Sequence, residues 1–227
     1  GAAERPALFI GHGVTLAEGA AELTALAERL NIPVISSPNG MGCIPMGHPL
    51  SLGFIGRNGT FPANQSGRNA DLVIAVGARF DDRSSSSWIP GYSWNFPATK
   101  LIHVDIDVDE IGRNYVPDLG ITADAGSFLR QMLGAVEAKG EEVPAREAWL
   151  AEIGGWREEW QRFVAPNFEL RTSPLRPEQV VTDIRAVLPD DAIISLDSGV
   201  HHNWFMQFWE ARMPQTMLNA WGFSGMG

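Results

Sequence analysis

The chain has 227 residues, 44% of them hydrophobic, which is apolar surface enough for one large domain or one and a half ordinary ones. Its formal net charge of −10, with 17 scattered basic residues, excludes nucleic acid as a partner, because that binding neutralises phosphates with Lys and Arg. No apolar run suits a membrane span, no secretory signal pattern is present, and the single Cys43 excludes a disulfide framework or a Cys-rich zinc site, so the expectation is a soluble, cytoplasmic protein.

Short apolar runs alternating with amphipathic ones over residues 1–138 predict a parallel sheet covered by helices, an α/β Rossmann-like domain. Strands are expected at "ALFI" (7–10), "IPVIS" (32–36), "DLVIAVG" (71–77), "LIHVDID" (101–107) and "LGIT" (119–122). Leu16, Ala20, Leu23, Ala27 and Leu30 fall at helical spacing after the first strand, and Asp124 is placed to cap a helix carrying Phe128, Leu129 and Met132. Residues 139–173 read as a linker with an amphipathic helix, whose Trp149, Ile153, Trp156, Trp160 and Phe163 form one apolar stripe to pack on a neighbour. From 174 to 227 a second α/β unit opens: a helix over 176–189 with Val180, Val181, Ile184 and Val187 facing inward, a strand at 192–197, a turn "SGVHHN" and a helix at 204–209. One helix and one strand close no core, so this unit reads as incomplete.

Four loops carry candidate chemistry. "GHGV" (11–14) follows the first strand, where parallel sheets bind ligands; it suits a diphosphate or is a tight turn that needs small residues. Leu16, Ser36 and Ser37 stand where a dinucleotide fingerprint would have a glycine and an acid, so this is no standard NAD site. In "GARFDDR" (77–83), Arg79 can fork onto an anion and Asp81 or Asp82 accept from sugar hydroxyls, or the loop is salt-bridged to itself. "HVDID" puts Asp105 and Asp107 on one side of an extended segment, suited to a ribose or adenine contact. In "DSGVHHNW" the adjacent His201 and His202 should diverge, so hydrogen bonding to an anion is expected ahead of metal binding, with ordinary surface histidines as the alternative.

In order, "GHGV", "HPLSLGFIGRNGT", "ADLVIAVGARFDDR", "KLIHVDIDVDEIGRN" and "ITADA" resemble the central domain of thiamine diphosphate dependent enzymes of the acetolactate synthase type. "RPEQVVTDIRAVLPDDAIISLDSGVHHNW" and "WGFSGMG" are similar to the opening of their C-terminal, diphosphate-binding domain. The resemblance implies an enzyme that decarboxylates a 2-oxo acid such as pyruvate and transfers the two-carbon unit, with thiamine diphosphate, Mg2+ and FAD as cofactors and a homodimer or homotetramer as the full-length state. It also implies that the chain is a fragment, inactive alone, because the activating glutamate and the GDG...N magnesium motif of the family lie outside it; no catalytic residue and no metal ligand is assigned within it.

Carried over residue by residue, the resemblance assigns FAD to Gly11, His12, Gly13, Gly53, Phe54, Ile55, Gly56, Arg57, Gly77, Ala78, Arg79, Asp81, Asp105 and Asp124. It assigns thiamine diphosphate to Gly199, Val200, His201 and His202 and to Ser224, Gly225 and Met226, with Met226 as the apolar wedge under the bent cofactor. His12 replaces the middle glycine of the family's first loop, and Val200 replaces a polar residue. The aromatic, proline-rich stretch 84–100 is closer to the relatives that hydrolyse a trihydroxycyclohexanedione in inositol catabolism, and a self-sufficient nucleotide-binding module is a further alternative.

Overall fold

The structure, a computed structural model, describes residues 3–140, 145–169 and 172–219. Six strands, β1 (Pro6–Ile10), β2 (Val34–Ser36), β3 (Ser51–Phe54), β4 (Leu72–Val76), β5 (Lys100–Asp105) and β6 (Leu119–Thr122), form one parallel sheet in the order β3-β2-β1-β4-β5-β6. The order reverses between β1 and β4, where Ile10 pairs with Val76, and the crevice beyond the strand ends at such a reversal is where open α/β sheets place ligands.

Alternation along the strands sends side chains to two separate cores. Leu8, Ile10, Val34, Ile74 and Val76 meet Leu23 and Leu26 of helix α2 (Ala20–Leu30) and Leu129 of helix α4 (Ala125–Lys139). On the other face Ala7, Phe9, Ile35, Val73 and Ala75 meet Ala63 of helix α3 (Phe61–Asn69) and Trp149 and Ile153 of helix α5 (Glu147–Glu169). Each fully buried Leu, Ile or Phe contributes about 1.5–3 kcal/mol, so both faces are needed for stability.

The first half of α5 is therefore a layer of the sheet domain. Trp149 is 3% exposed and its indole donates to the Pro6 carbonyl at 3.1 Å. The second half leaves the sheet: Trp160 stacks on Phe208, while Phe163, expected in the same buried stripe, is 73% exposed.

Other elements depart from expectation. The helix expected from Leu16 to Leu30 is two, α1 (His12–Leu16) and α2, because Glu18 takes a left-handed φ of 51° and turns the chain; Leu16 is left 72% exposed. Strand β3 and helix α3 were not foreseen. The strand is four residues long and broken by Gly53 at φ 79°, while α3 begins at the Thr60 cap with Pro62 in its first turn.

The second unit has helix α6 (Pro177–Val187), strand β7 (Ile194–Leu196), helix α7 (His201–Phe208) and strand β8 (Met217–Asn219), with β7 and β8 parallel. Its apolar residues Val181, Leu196, Met206, Trp209 and Met217 cluster with Met41 and Phe54 of the sheet domain. Val180 and Val187, expected inward, are 38% and 81% exposed, because the seam of α6 runs through Val181, Ile184 and Arg185. Arg185 lies over the Trp209 ring and donates to the Leu188 carbonyl, closing the end of α6.

No helix among the described residues is long and apolar enough to cross a membrane.

Candidate functional site

At the reversal of strand order Gly11 leaves β1 and Gly77 leaves β4, and the two backbones touch. The Gly11 amide donates to the Val76 carbonyl at 3.1 Å and the Gly13 amide to the Gly77 carbonyl at 3.0 Å. A Cβ on Gly11 would sit 2.1 Å from the Gly77 oxygen, one on Gly13 would sit 2.7 Å from the Gly77 Cα, and Gly77 itself holds φ 54°. These glycines are needed by the fold before any ligand is considered.

A cleft of about 890 Å3 opens above this contact. Of the residues assigned to FAD, it gathers His12, Gly13, Gly77, Arg79, Asp81, Asp105 and Asp124; Asp82, Arg83 and Asp107 join them. The sequence gives no sign that Ser37, Pro38 and Asn39, which follow β2, form another wall. His12 leans towards this wall, its Nδ1 3.4 Å from the Asn39 carbonyl.

The carboxylates serve their own loops as well as the cleft. Asp81 Oδ1 accepts from the Ser84 amide at 2.7 Å and from its hydroxyl at 2.9 Å. Asp105 Oδ1 accepts from the Asp107 amide, and Asp107 Oδ1 from the Asp109 amide, both at 3.0 Å. Asp105 ends β5 and Asp107 lies in the turn beyond, so the two are linked through a turn, where a shared extended segment was expected. Asp124 caps α4 as its spacing predicts, accepting from the Ser127 amide at 2.8 Å, and these Ser127 hydrogen bonds hold its carboxyl below the usual range. Arg79 is 70% exposed on the side chain, with Nε 3.7 Å from Glu110, whose carboxylate is taken at 2.6 Å by Arg113.

Beneath the floor lies an aromatic layer. Phe80 packs on Phe9, Trp94, Phe96, Tyr115 and His103, with ring centroids 5.2 to 5.7 Å apart. His103 is 2% exposed, its Nε2 lies 3.2 Å from the Ala78 carbonyl, and burial holds its imidazole below the ordinary value. The stretch 84–100 thus supplies core through Trp94, whose indole donates to the Ser84 carbonyl.

The remaining assigned residues do not line the cleft. Phe54 and Ile55 are buried in two different cores, Ala78 is buried, and Gly53 borders a second cavity. Gly56 and Arg57 pack against the RFDDR loop: the Arg57 amide donates to the Arg83 carbonyl, and its guanidinium to Asp82 and Ser87, each at 2.6 Å. Gly199 and Val200 precede α7, and His201 and His202 form its first turn, outside the cleft. The histidine rings do not diverge; they stack with centroids 5.1 Å apart, and burial followed by the His201 charge lowers the His202 imidazole. Ser224, Gly225 and Met226 lie outside the described residues, and among the described residues no group of three or more His, Cys, Asp or Glu could hold a metal ion.

Residues 1–132 match the family described as thiamine pyrophosphate enzyme, central domain. The chain belongs to the thiamine pyrophosphate enzyme family. Over 230 residues it is 35% identical to a probable acetolactate synthase large subunit of Methanocaldococcus jannaschii, covering 99% of this chain and 37% of that one. It is also 35% and 30% identical to the acetolactate synthase isozyme 1 and isozyme 3 large subunits of Escherichia coli, covering all of this chain and 38% of each. The chain thus spans a little over a third of the length of these relatives, and its six-stranded sheet lies within the residues that match the central-domain family.

Proposed function

We propose that this chain is part of an acetolactate synthase-like enzyme that decarboxylates a 2-oxo acid such as pyruvate and transfers the two-carbon unit. Residues 1–138, with the first half of α5 packed on them, serve as the nucleotide-holding domain, the remainder of 139–173 as the connection and 174–227 as the start of the thiamine diphosphate domain. The relatives, all acetolactate synthase large subunits, support the reaction class. The observation that carries the reading is the convergence of Arg79, Asp81, Asp105 and Asp124 around the Gly13 and Gly77 backbones in one cleft.

That donor set fits FAD. The backbones of Gly13 and Gly77, packed on one another, form the floor for a diphosphate, Arg79 offers an exposed guanidinium to it, and the carboxylates of Asp105 and Asp124 accept from ribose or ribityl hydroxyls. A cleft of about 890 Å3 is within the range of cofactor sites. His12, turned towards Asn39, narrows the rim where the family has glycine. Flavin in this domain is structural, and Gly199 to His202 with Ser224, Gly225 and Met226 hold the second cofactor. Thiamine diphosphate, with Mg2+, supplies the thiazolium that acts as electron sink. On this reading the 227 residues alone turn over no 2-oxo acid, and the full-length enzyme works as a homodimer or homotetramer in the cytoplasm.

Quenching of FAD fluorescence on titration with the purified protein tests the nucleotide site, with ADP as competitor. A colourless protein that takes up neither FAD nor ADP overturns it. Acetolactate formation by the full-length enzyme, dependent on added thiamine diphosphate and Mg2+, tests the reaction.

A further inference from the structure

A second cavity, of about 340 Å3, lies beside the outer strand β3, between it, α5 and α7, and belongs to no site described above. Its lining is mixed: Met46, Leu52 and Trp160 are the large apolar members, and Arg157, Gln161, Ser51, His48, Thr60 and Gln207 the polar ones.

Arg157 is the unusual member. Its Nη2 donates to the Ser51 carbonyl at 2.6 Å, and among the described residues it forms no ion pair. Burial lowers its guanidinium, with no carboxylate acting in the opposite sense. A half-buried cation in a protein of net charge −10 has abundant carboxylates available, yet no carboxylate lines this cavity. The carboxylates bordering the lining are engaged elsewhere, Glu28 by His48 at 3.2 Å and Glu210 by Arg212 at 3.5 Å. Arg157, intermediate in burial, spends one N–H on a carbonyl and keeps the rest of its fork open to solvent or to an anion, and planar carboxylate matches that fork in two hydrogen bonds.

We infer that this cavity binds a small aliphatic monocarboxylate, its carboxylate on Arg157 and Gln161 and its branched alkyl part against Met46, Leu52 and Trp160. The apolar lining selects against inorganic anions. The cavity touches the sheet domain through β3 and the second unit through Gln207 of α7, whose amide donates to the Asn58 carbonyl at 3.2 Å. Occupancy therefore stiffens the contact between the two units. The inference is independent of the nucleotide reading, since the two cavities share no lining residue.

The test uses 3-methylbutanoate as probe on the purified protein, followed by saturation-transfer NMR and thermal melting. Saturable binding with a Kd of roughly 1 mM is expected, together with a rise in Tm, while acetate and the neutral 3-methylbutanamide give neither. Arg157→Gln should weaken binding at least ~10-fold, the loss of a charge-assisted pair. Gln161→Trp, which fills the mouth while keeping the Arg157 to Ser51 bond, should abolish it and decides the matter if Arg157→Gln fails to fold. ADP at saturation should not displace the probe. Absence of saturable binding, equal binding of acetate or the amide, survival of binding in either variant, or displacement by ADP each overturns the inference.

Discussion

Gly11 and Gly77 lie in backbone contact across the reversal of strand order, so that a methyl group on Gly11 would stand 2.1 Å from the Gly77 carbonyl oxygen. Neither backbone can retreat, because the Gly11 amide is tied to Val76 and the Gly77 amide to Val104 at 2.8 Å. Gly11→Ala should therefore destabilise the fold by about 2–3 kcal/mol or more, as overpacking does. Gly91, left-handed at φ 70° but with nothing within 4 Å of an added Cβ, should lose only about 1 kcal/mol on change to Ala. Urea denaturation of the two variants checks the difference.

Trp149 anchors α5 in the sheet core. Trp149→Ala should cost about 3–5 kcal/mol through the cavity it leaves. Trp149→Phe keeps most of the ring volume and loses the hydrogen bond to Pro6, for about 1 kcal/mol. If α5 were an exposed linker helix, both variants would unfold at the denaturant midpoint of the parent.

The cleft variants separate binding from stability. Arg79→Ala removes a guanidinium that is 70% exposed, so the denaturation midpoint should hold while FAD or ADP affinity falls about 10-fold. Asp105→Asn should also weaken binding and lose some stability, because Asp105 accepts from the Asp107 amide as well. Calorimetric titration and urea melts on the same samples give both readouts.

Acid should destabilise the protein in two stages. Burial lowers the His103 imidazole in the folded state, so between that lowered value and the ordinary value near 6.5 the unfolded chain binds the extra proton. Stability is then full above about pH 6.5 and falls as pH drops towards the folded value. Asp124 is also lowered, mainly by its hydrogen bonds to Ser127. Its contribution is present above the ordinary carboxylate value near 3.9 and is lost as pH falls through the lower folded one. His103→Gln should reduce the first stage, leaving the share of the likewise lowered His202, and Asp124→Asn should reduce the second, measured as Tm against pH. An unchanged profile in the His103 variant would remove this histidine from the account.

The strands were legible because runs such as "LVIAV" are apolar on both faces, as a sheet covered on both sides requires. The cleft was legible because the residues assigned to it lie at or just beyond the ends of four of those strands, β1, β4, β5 and β6. What escaped were features set by distant backbone. Gly11 reads as part of a diphosphate loop or of a tight turn, and its contact with Gly77, distant in sequence, is not legible there. Asp81 and Asp105 read as sugar contacts or, for the Asp81 loop, as salt-bridge partners; that backbone amides of Ser84 and Asp107 take them is set by the loop geometry. Ser51–Phe54 escaped because an outer strand interrupted by a left-handed glycine has neither alternation nor length. His201 and His202 misled because the opening turn of α7 lets neighbouring rings stack.

The bond from Trp149 to Pro6 joins residues 143 apart, and β1 sits between β2 and β4 in the middle of the sheet. As the chain leaves the ribosome, Phe9 and its neighbours must wait, first for β4 and then for α5, before their face of the sheet is covered. Until then a bare apolar strand is offered to any passing partner, so folding should be slow and helped by a holding chaperone during synthesis.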